Sequence, residues 1–122
     1  MSKKILIVDD EPNIVISLEF LMKKEKFEVA VAVDGEEALA QVARFKPDLI
    51  LLDVMMPKKS GFEVCEALRA DPANNDLLIM MLTAKGRDTE MAKGLAIGAN
   101  AYMTKPFSTK DLVSKVKALL GV

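Results

Sequence analysis

The chain of 122 residues contains no histidine. That removes serine-histidine-acid triads, imidazole metal sites and phosphohistidine formation within this chain. Any phosphoryl group that arrives must be received on another kind of side chain. Cysteine is nearly absent as well: Cys65 stands alone, so there is neither an internal disulfide nor a cysteine-based zinc site. As a nucleophile it has no histidine to activate it, and its spacing to Phe62 and Leu68 places it on a helical stripe as a small core residue. There is no excess of one charge either. With 17 basic and 18 acidic residues the formal charge is -1, which gives no field for a nucleic-acid backbone, and no Lys/Arg stripe is present. Direct nucleic-acid binding by this chain is not expected. Long hydrophobic runs are missing too. The first apolar run is stopped by Asp9 and Asp10, too early for a signal-peptide core or a membrane span, and the expected location is the cytoplasm, away from any membrane. No linker or low-complexity stretch divides the chain, which sits at the usual size of one domain with one core.

What the sequence does have is four short apolar runs, each ending in a charged or hydroxyl residue. Lys4 to Val8 runs into Asp9 and Asp10, Leu49 to Leu52 into Asp53, Leu77 to Leu82 into Thr83, and Ala101 to Thr104 into Lys105. Buried parallel strands read as short continuous apolar stretches. In an open α/β sheet ligands bind beyond the carboxyl ends of such strands, so three carboxylates, a hydroxyl and an ammonium are expected to converge on one pocket. Clustered carboxylates repel unless a cation sits among them, and an oxygen-lined site with few protein ligands suits Mg²⁺. A lysine and a threonine facing that cation offer a phosphoryl group a positive charge and a hydrogen-bond donor.

Between the strands lie helical patterns, the alternation of a parallel sheet built from βα units. The first helix is predicted to open at Pro12 and to carry Ile14, Leu18, Leu21 and Met22 on one face, with Lys23 to Lys26 at its solvated end. A second strand over 27–33 leads to Asp34, which with Glu37 reads as an N-cap rather than as part of the pocket. Pro47 stops the second helix before the third strand. Ser60 with Glu63 opens the third helix, which ends near Asp71 and Pro72. A thin helical signal over 87–96, preceded by Gly86, rests on Met91 and Leu95 and is interrupted by Gly94. Glycine inside a helix costs about 1 kcal/mol relative to alanine, so this is the helix expected to shift. Ser108 and Asp111 open the last helix, which carries Leu112, Val113, Val116, Leu119 and Leu120.

These residues also carry a resemblance. Asp9-Asp10-Glu11-Pro12, then Asp53-Val54-Met55-Met56-Pro57 with Gly61, then Thr83-Ala84, then Tyr102 with Lys105-Pro106-Phe107 together resemble the receiver domain of two-component response regulators, CheY-like proteins of bacterial signalling. The match spans residues 1–122 as one receiver domain. It implies a flavodoxin-like α/β fold, a doubly wound five-stranded parallel sheet of order 2-1-3-4-5 between helical layers. It implies that Asp53 is the phosphoacceptor, taking a phosphoryl group from a kinase's phosphohistidine or a small phosphodonor to give an aspartyl phosphate. Asp9, Asp10, Asp53 and the backbone carbonyl of Met55 would form the Mg²⁺ site, with Asp10 ahead of Asp9 as direct ligand. Lys105 would pair with Asp53 and then with a phosphoryl oxygen. Thr83 would be the switch hydroxyl, Tyr102 the aromatic that follows it inward, and the Lys105-Pro106 peptide bond would be cis.

The same resemblance implies that the domain is no enzyme on a separate substrate and catalyses only its own phosphorylation and dephosphorylation. Its partners would be a sensor histidine kinase or a histidine phosphotransfer protein, together with an output partner or fused effector domain reached through the 87–96 helix, the fifth strand and the last helix. Homodimerisation on phosphorylation is one state the family offers. Taken singly, Lys105 also reads as an ordinary strand-end cation, Thr83 as a cap and Tyr102 as an edge aromatic. Met56, Met80, Met81 and the Met55 side chain read as packing residues.

The chain departs from the family pattern in two places that bear on mechanism. Asn100 and Ala101 stand where receivers that dimerise for winged-helix factors often have acids. Met55 and Lys85 stand where a carboxylate or amide would orient water, so slow dephosphorylation is expected. The rival classes fit less well. A haloacid-dehalogenase-like hydrolase needs two aspartates separated by one residue, and Asp9 and Asp10 are adjacent. A flavin or dinucleotide binder needs a Gly-rich or Ser/Thr-rich phosphate loop, whereas Asp9-Asp10-Glu11 repels phosphate. An interaction module without phosphorylation is disfavoured because every key position is filled.

Overall fold

The computed structural model describes residues 2–56, 59–84, 92–93 and 95–122. Its elements run β1 (Lys4–Val8), α1 (Pro12–Lys24), β2 (Glu28–Ala32), α2 (Gly35–Phe45), β3 (Leu49–Asp53), α3 (Gly61–Ala70), a 3₁₀ turn (Pro72–Asn74), β4 (Leu78–Ala84), β5 (Ala101–Lys105) and α4 (Thr109–Leu120). Ala92, Lys93, Leu95 and Ala96 are also helical, within the 87–96 stretch where a helix is expected. Pro57, Lys85, Gly86, Met91 and Gly94, named above, and the start of the 87–96 stretch lie outside the described residues.

All strand pairs are parallel and the sheet order is β2-β1-β3-β4-β5. Alternate side chains along a strand point to opposite faces, and here both faces are apolar. Ile5, Ile7, Leu49, Leu51, Met80 and Leu82 pack with Leu18 and Met22 of α1 and Leu112 and Val116 of α4. On the other face Leu6, Val8, Ile50, Leu52, Ile79 and Met81 pack with Val42 of α2 and with Val64, Cys65 and Leu68 of α3. The result is three layers, helices on both sides of a sheet whose central strands are buried on both faces. Cys65 is fully buried, and burial pushes its thiol pKa up, so it is the core residue expected.

Helix starts follow the capping signals. Asp34 Oδ1 accepts the Glu37 N–H at 2.8 Å, Ser60 and Glu63 form a reciprocal capping box, and Ser108 Oγ accepts the Asp111 N–H at 3.3 Å. Each satisfies a backbone donor that an α-helix leaves orphaned at its first turn. Pro12 occupies the first turn of α1.

The base of the sheet, where the strands begin, is held by Arg69. Its guanidinium donates to the carbonyls of Gly98 at 2.9 Å and Asn74 at 2.8 Å, and to Asn100 Oδ1 at 2.7 Å. Asn100 Oδ1 also accepts the Ile79 N–H at 2.8 Å. Gly98 has φ of 113° with the Arg69 side chain packed against it, a position where a Cβ would be both strained and crowded.

Candidate phosphoacceptor and metal site

Register places the chemistry. Val8 lies opposite Leu52, and Asp53 opposite Leu82, so Asp9 and Asp53 emerge side by side at the carboxyl end of the two central strands. Ala84 lies opposite Lys105, which delivers the ammonium from the edge strand to the same end. The carboxylates of Asp9, Asp10 and Asp53 offer oxygens all within 4.8 Å of one another. Asp9 is fully buried and Asp53 nearly so, while Asp10 is exposed.

Lys105 sits among them. Its ammonium donates to Asp9 Oδ2 at 3.0 Å and to Asp53 Oδ1 at 3.2 Å, and lies 3.6 Å from Glu11 Oε1. Asp9 Oδ1 accepts the Glu11 N–H at 2.9 Å, which fixes the carboxylate at the entry to α1. Three acids therefore face one ammonium with Asp10 beside them, and the surplus negative charge is what a divalent cation would neutralise. The residues fit Mg²⁺: hard oxygen donors, converging, with one member open to water.

The electrostatics carry the mark of this crowding. Burial, then the charge of Asp9, pushes the Asp53 carboxyl up from 3.8 to about 6, against the opposing pull of Lys105 and of a backbone hydrogen bond at Met55. Burial pulls the Lys105 ammonium down, but its hydrogen bond to Asp9 and the charges of Asp53 and Asp9 outweigh that and leave it raised. A carboxylate whose ionised form is disfavoured in a cleft gains most from a cation placed beside it.

Behind Asp53 the loop turns back on Gly61. The Gly61 N–H donates to the Val54 carbonyl at 2.9 Å. A Cβ at Gly61 would collide with the Asp53 carbonyl oxygen and approach Val54 Cα to 2.9 Å. Glycine is required there because the backbone of α3 passes directly against the backbone of Asp53.

With the geometry in place, comparison with known proteins decides the family. The family profile described as the response regulator receiver domain matches residues 5–117. The chain belongs to the response regulator receiver domain family. It is 48% identical over 120 residues to the alkaline phosphatase synthesis transcriptional regulatory protein PhoP of Bacillus subtilis (strain 168), a match that covers 98% of this chain and 49% of that protein. The chain thus spans about half the length of this curated relative. The structure is similar to chemotaxis response regulator CheY4 of Vibrio cholerae, with a TM-score of 0.92 and 32% identity over 98% of this chain and 99% of that one. It is also similar to the receiver domain of the sensor histidine kinase PA1611 from Pseudomonas aeruginosa PAO1, with a TM-score of 0.90 and 26% identity over the full length of both chains. In that structure a magnesium ion is coordinated in the active-site cleft. The CheY-like receiver fold expected from the sequence is the fold found.

Each receiver position can now be placed. Asp9, Asp10, Asp53 and Lys105 come together. Thr83 lies one residue before the end of β4, one strand away; it is buried, and its Oγ1 has no hydrogen-bond partner among the described residues. A buried orphan hydroxyl is costly. Tyr102 lies on β5 opposite Met81 with 37% of its surface exposed. The Lys105-Pro106 bond is cis. Met80 and Met81 are buried packing residues, as read, but Met55 is not: it is 66% exposed. Two contributors were not given roles from sequence. Glu11, a third acid on Lys105, had its signal in the unbroken Asp9-Asp10-Glu11 run. Gly61 is named above only as part of the receiver pattern, without a role of its own.

Proposed function

We propose that this receiver is a phosphorylation-activated switch whose phosphoacceptor is Asp53. The observation that carries this reading is Lys105 bridging Asp9 and Asp53 at 3.0 and 3.2 Å inside a three-aspartate cluster. In the reaction, an Asp53 oxygen attacks the phosphorus of a donor phosphohistidine in line. The O–P bond forms as the N–P bond breaks, and the imidazole leaves with the electron pair and takes up a proton. Asp53 needs no general base, because such transfer depends on positioning and charge neutralisation.

The group implied at Asp9, Asp10, Asp53 and the Met55 carbonyl is Mg²⁺, which when bound supplies positive charge to the phosphoryl oxygens. Lys105 shifts its hydrogen bond from the Asp53 carboxylate to a phosphoryl oxygen. Thr83 Oγ1 then finds the acceptor it lacks, and Tyr102 moves into the space vacated. Altered partner binding follows on the surface formed by the 87–96 region, β5 and α4. The domain is a phosphoacceptor, not an enzyme acting on a separate substrate.

The donor would be a sensor histidine kinase or a histidine phosphotransfer protein, and the output would be a partner protein or an effector domain. Ile16 and Phe20 are 64% and 70% exposed, one turn apart on the helix that begins beside Asp10. Such an apolar ridge next to the cleft suits a protein donor.

Incubation with acetyl phosphate and Mg²⁺ followed by intact mass tests the reading. A single stable phosphoryl adduct is expected. Turnover of many equivalents with no adduct would replace it with a hydrolase.

A further inference from the structure

At the end of the sheet opposite Asp53, a groove of about 720 Å³ opens between the carboxyl-terminal halves of α2 and α3. Its size falls in the range of ligand sites in general. Val42, Leu68 and Leu77 line it as buried apolar residues, and the small side chains of Ala43 and Ala67 leave the space between the two helices open. The polar residues around it are unbalanced. Asp48, Asp71 and Asp76 line it against a single cation, Lys46.

Two of these acids are fixed by backbone donors. Asp48 Oδ2 accepts the Lys4 N–H at 2.8 Å and Asp71 Oδ1 accepts the Ala73 N–H at 3.0 Å. Each keeps a second carboxylate oxygen, and Asp76 makes no hydrogen bond or ion pair among the described residues. An apolar trough with preorganised carboxylates around it selects an occupant that is apolar in the middle and cationic at its edges.

We infer that this groove docks a basic amphipathic segment of a partner protein, which lays one or two aliphatic side chains between α2 and α3 and places arginine or lysine on Asp48, Asp71 and Asp76. The complementarity of charge is what commits the groove to that occupant. Because it lies at the beginning of β3 and β4 while Asp53 ends β3, such a partner can be held whether or not the phosphoacceptor is occupied. The groove would tether the receiver independently of the switch.

The probe is a pair of capped pentapeptides, Arg-Leu-Ile-Arg-Leu and Glu-Leu-Ile-Glu-Leu, titrated into ¹⁵N-labelled protein and followed by NMR. The arginine peptide should shift the amides of Leu39, Val42, Ala67 and Leu68 and bind about tenfold more tightly than the glutamate peptide. Asp76→Asn should weaken it by about threefold. Ala43→Leu, which fills the groove from an exposed helical position, should abolish the shifts while leaving labelling by acetyl phosphate unchanged, and Ala67→Leu is the second filling variant should the first lower the melting temperature. Equal affinity for the two peptides, shifts confined to other surfaces, or binding that survives both filling variants would overturn the inference. So would no shift at millimolar peptide.

Discussion

Asp9 holds Lys105 more closely than Asp53 does, at 3.0 Å against 3.2 Å, and Asp9 is the acid with no exposure to water at all. The lysine is therefore anchored on the buried Asp9 carboxylate and shared with Asp53, the proposed phosphoacceptor. A shared ammonium can follow the charge when it moves outward onto a phosphoryl group, without leaving Asp9 bare.

The crowding of acids predicts that function is stored against stability. In EDTA near neutral pH, Asp53→Ala should be at least as stable as wild type, by about 1 kcal/mol once solvent screening at the cleft is allowed for, and Mg²⁺ should raise the melting temperature of wild type more than that of the variant. The sign with pH follows from the raised Asp53 carboxyl, from 3.8 to about 6. Its contribution is complete below the ordinary value and is lost as pH rises through the folded one. Thermal unfolding without metal should thus show wild type gaining on Asp53→Ala between about pH 7.5 and about pH 4.5. A clear loss of stability in Asp53→Ala at neutral pH would contradict the cluster.

Phosphorylation should follow the ionised form. Asp53→Asn should abolish the adduct, and borohydride trapping with peptide mapping should place wild-type label on Asp53; label on Asp9 or Asp10 would reassign the acceptor. At limiting Mg²⁺ the labelling rate should fall as pH drops through about 6, and saturating Mg²⁺ should move that midpoint lower, since a nearby cation favours the carboxylate.

Lys105→Ala should fold but lose on the order of 2 kcal/mol, because Asp9 and Asp53 are left without their shared cation. Mg²⁺ should restore part of that loss. A chemical-denaturation series with and without Mg²⁺ measures both, and a variant as stable as wild type in EDTA would show that the bridge contributes nothing.

Gly61→Ala should cost about 2 kcal/mol and slow labelling together, since the added methyl meets the Asp53 carbonyl oxygen and one of the two backbones must shift. Circular dichroism melts and acetyl phosphate kinetics on one sample check the pair; unchanged values would mean the loop has room to spare.

Thr83→Val removes the orphaned hydroxyl at nearly constant volume. It should leave stability unchanged or raise it by about 1 kcal/mol, yet blunt the response to beryllofluoride and Mg²⁺, which stand in for the acyl phosphate. Hydrogen exchange should change over 92–105 in wild type and much less in the variant. Changes confined to the loops around Asp9 and Asp53 in wild type would show that this switch does not operate.

How much of this the residues announced depends on whether the signal is local. Strand β1 falls on Lys4–Val8 as read, and the caps at Asp34, Ser60 and Ser108 each hold their backbone donor, because a cap is decided within four residues. Strand ends were less legible: Asp53, Thr83 and Lys105 lie inside their strands rather than just beyond them, since pairing with a neighbour extends a strand past its last apolar residue. The 3₁₀ turn over Pro72–Asn74 was read only as a stop. Contacts made across the sequence left almost no trace. The Glu11 approach to Lys105 and the hydrogen bonds of Arg69 to Gly98 and Asn100 join residues far apart in the chain, so no periodicity or spacing reports them.

Asn100 turns its side-chain oxygen inward to Arg69 and the Ile79 N–H, beside a buried Ala101. An edge built this way offers a second copy no charge at either position. Recognition between copies at these two positions would have to rest on shape and apolar contact, and any salt dependence of self-association would come from other charges, such as Lys110 and Lys115 on α4.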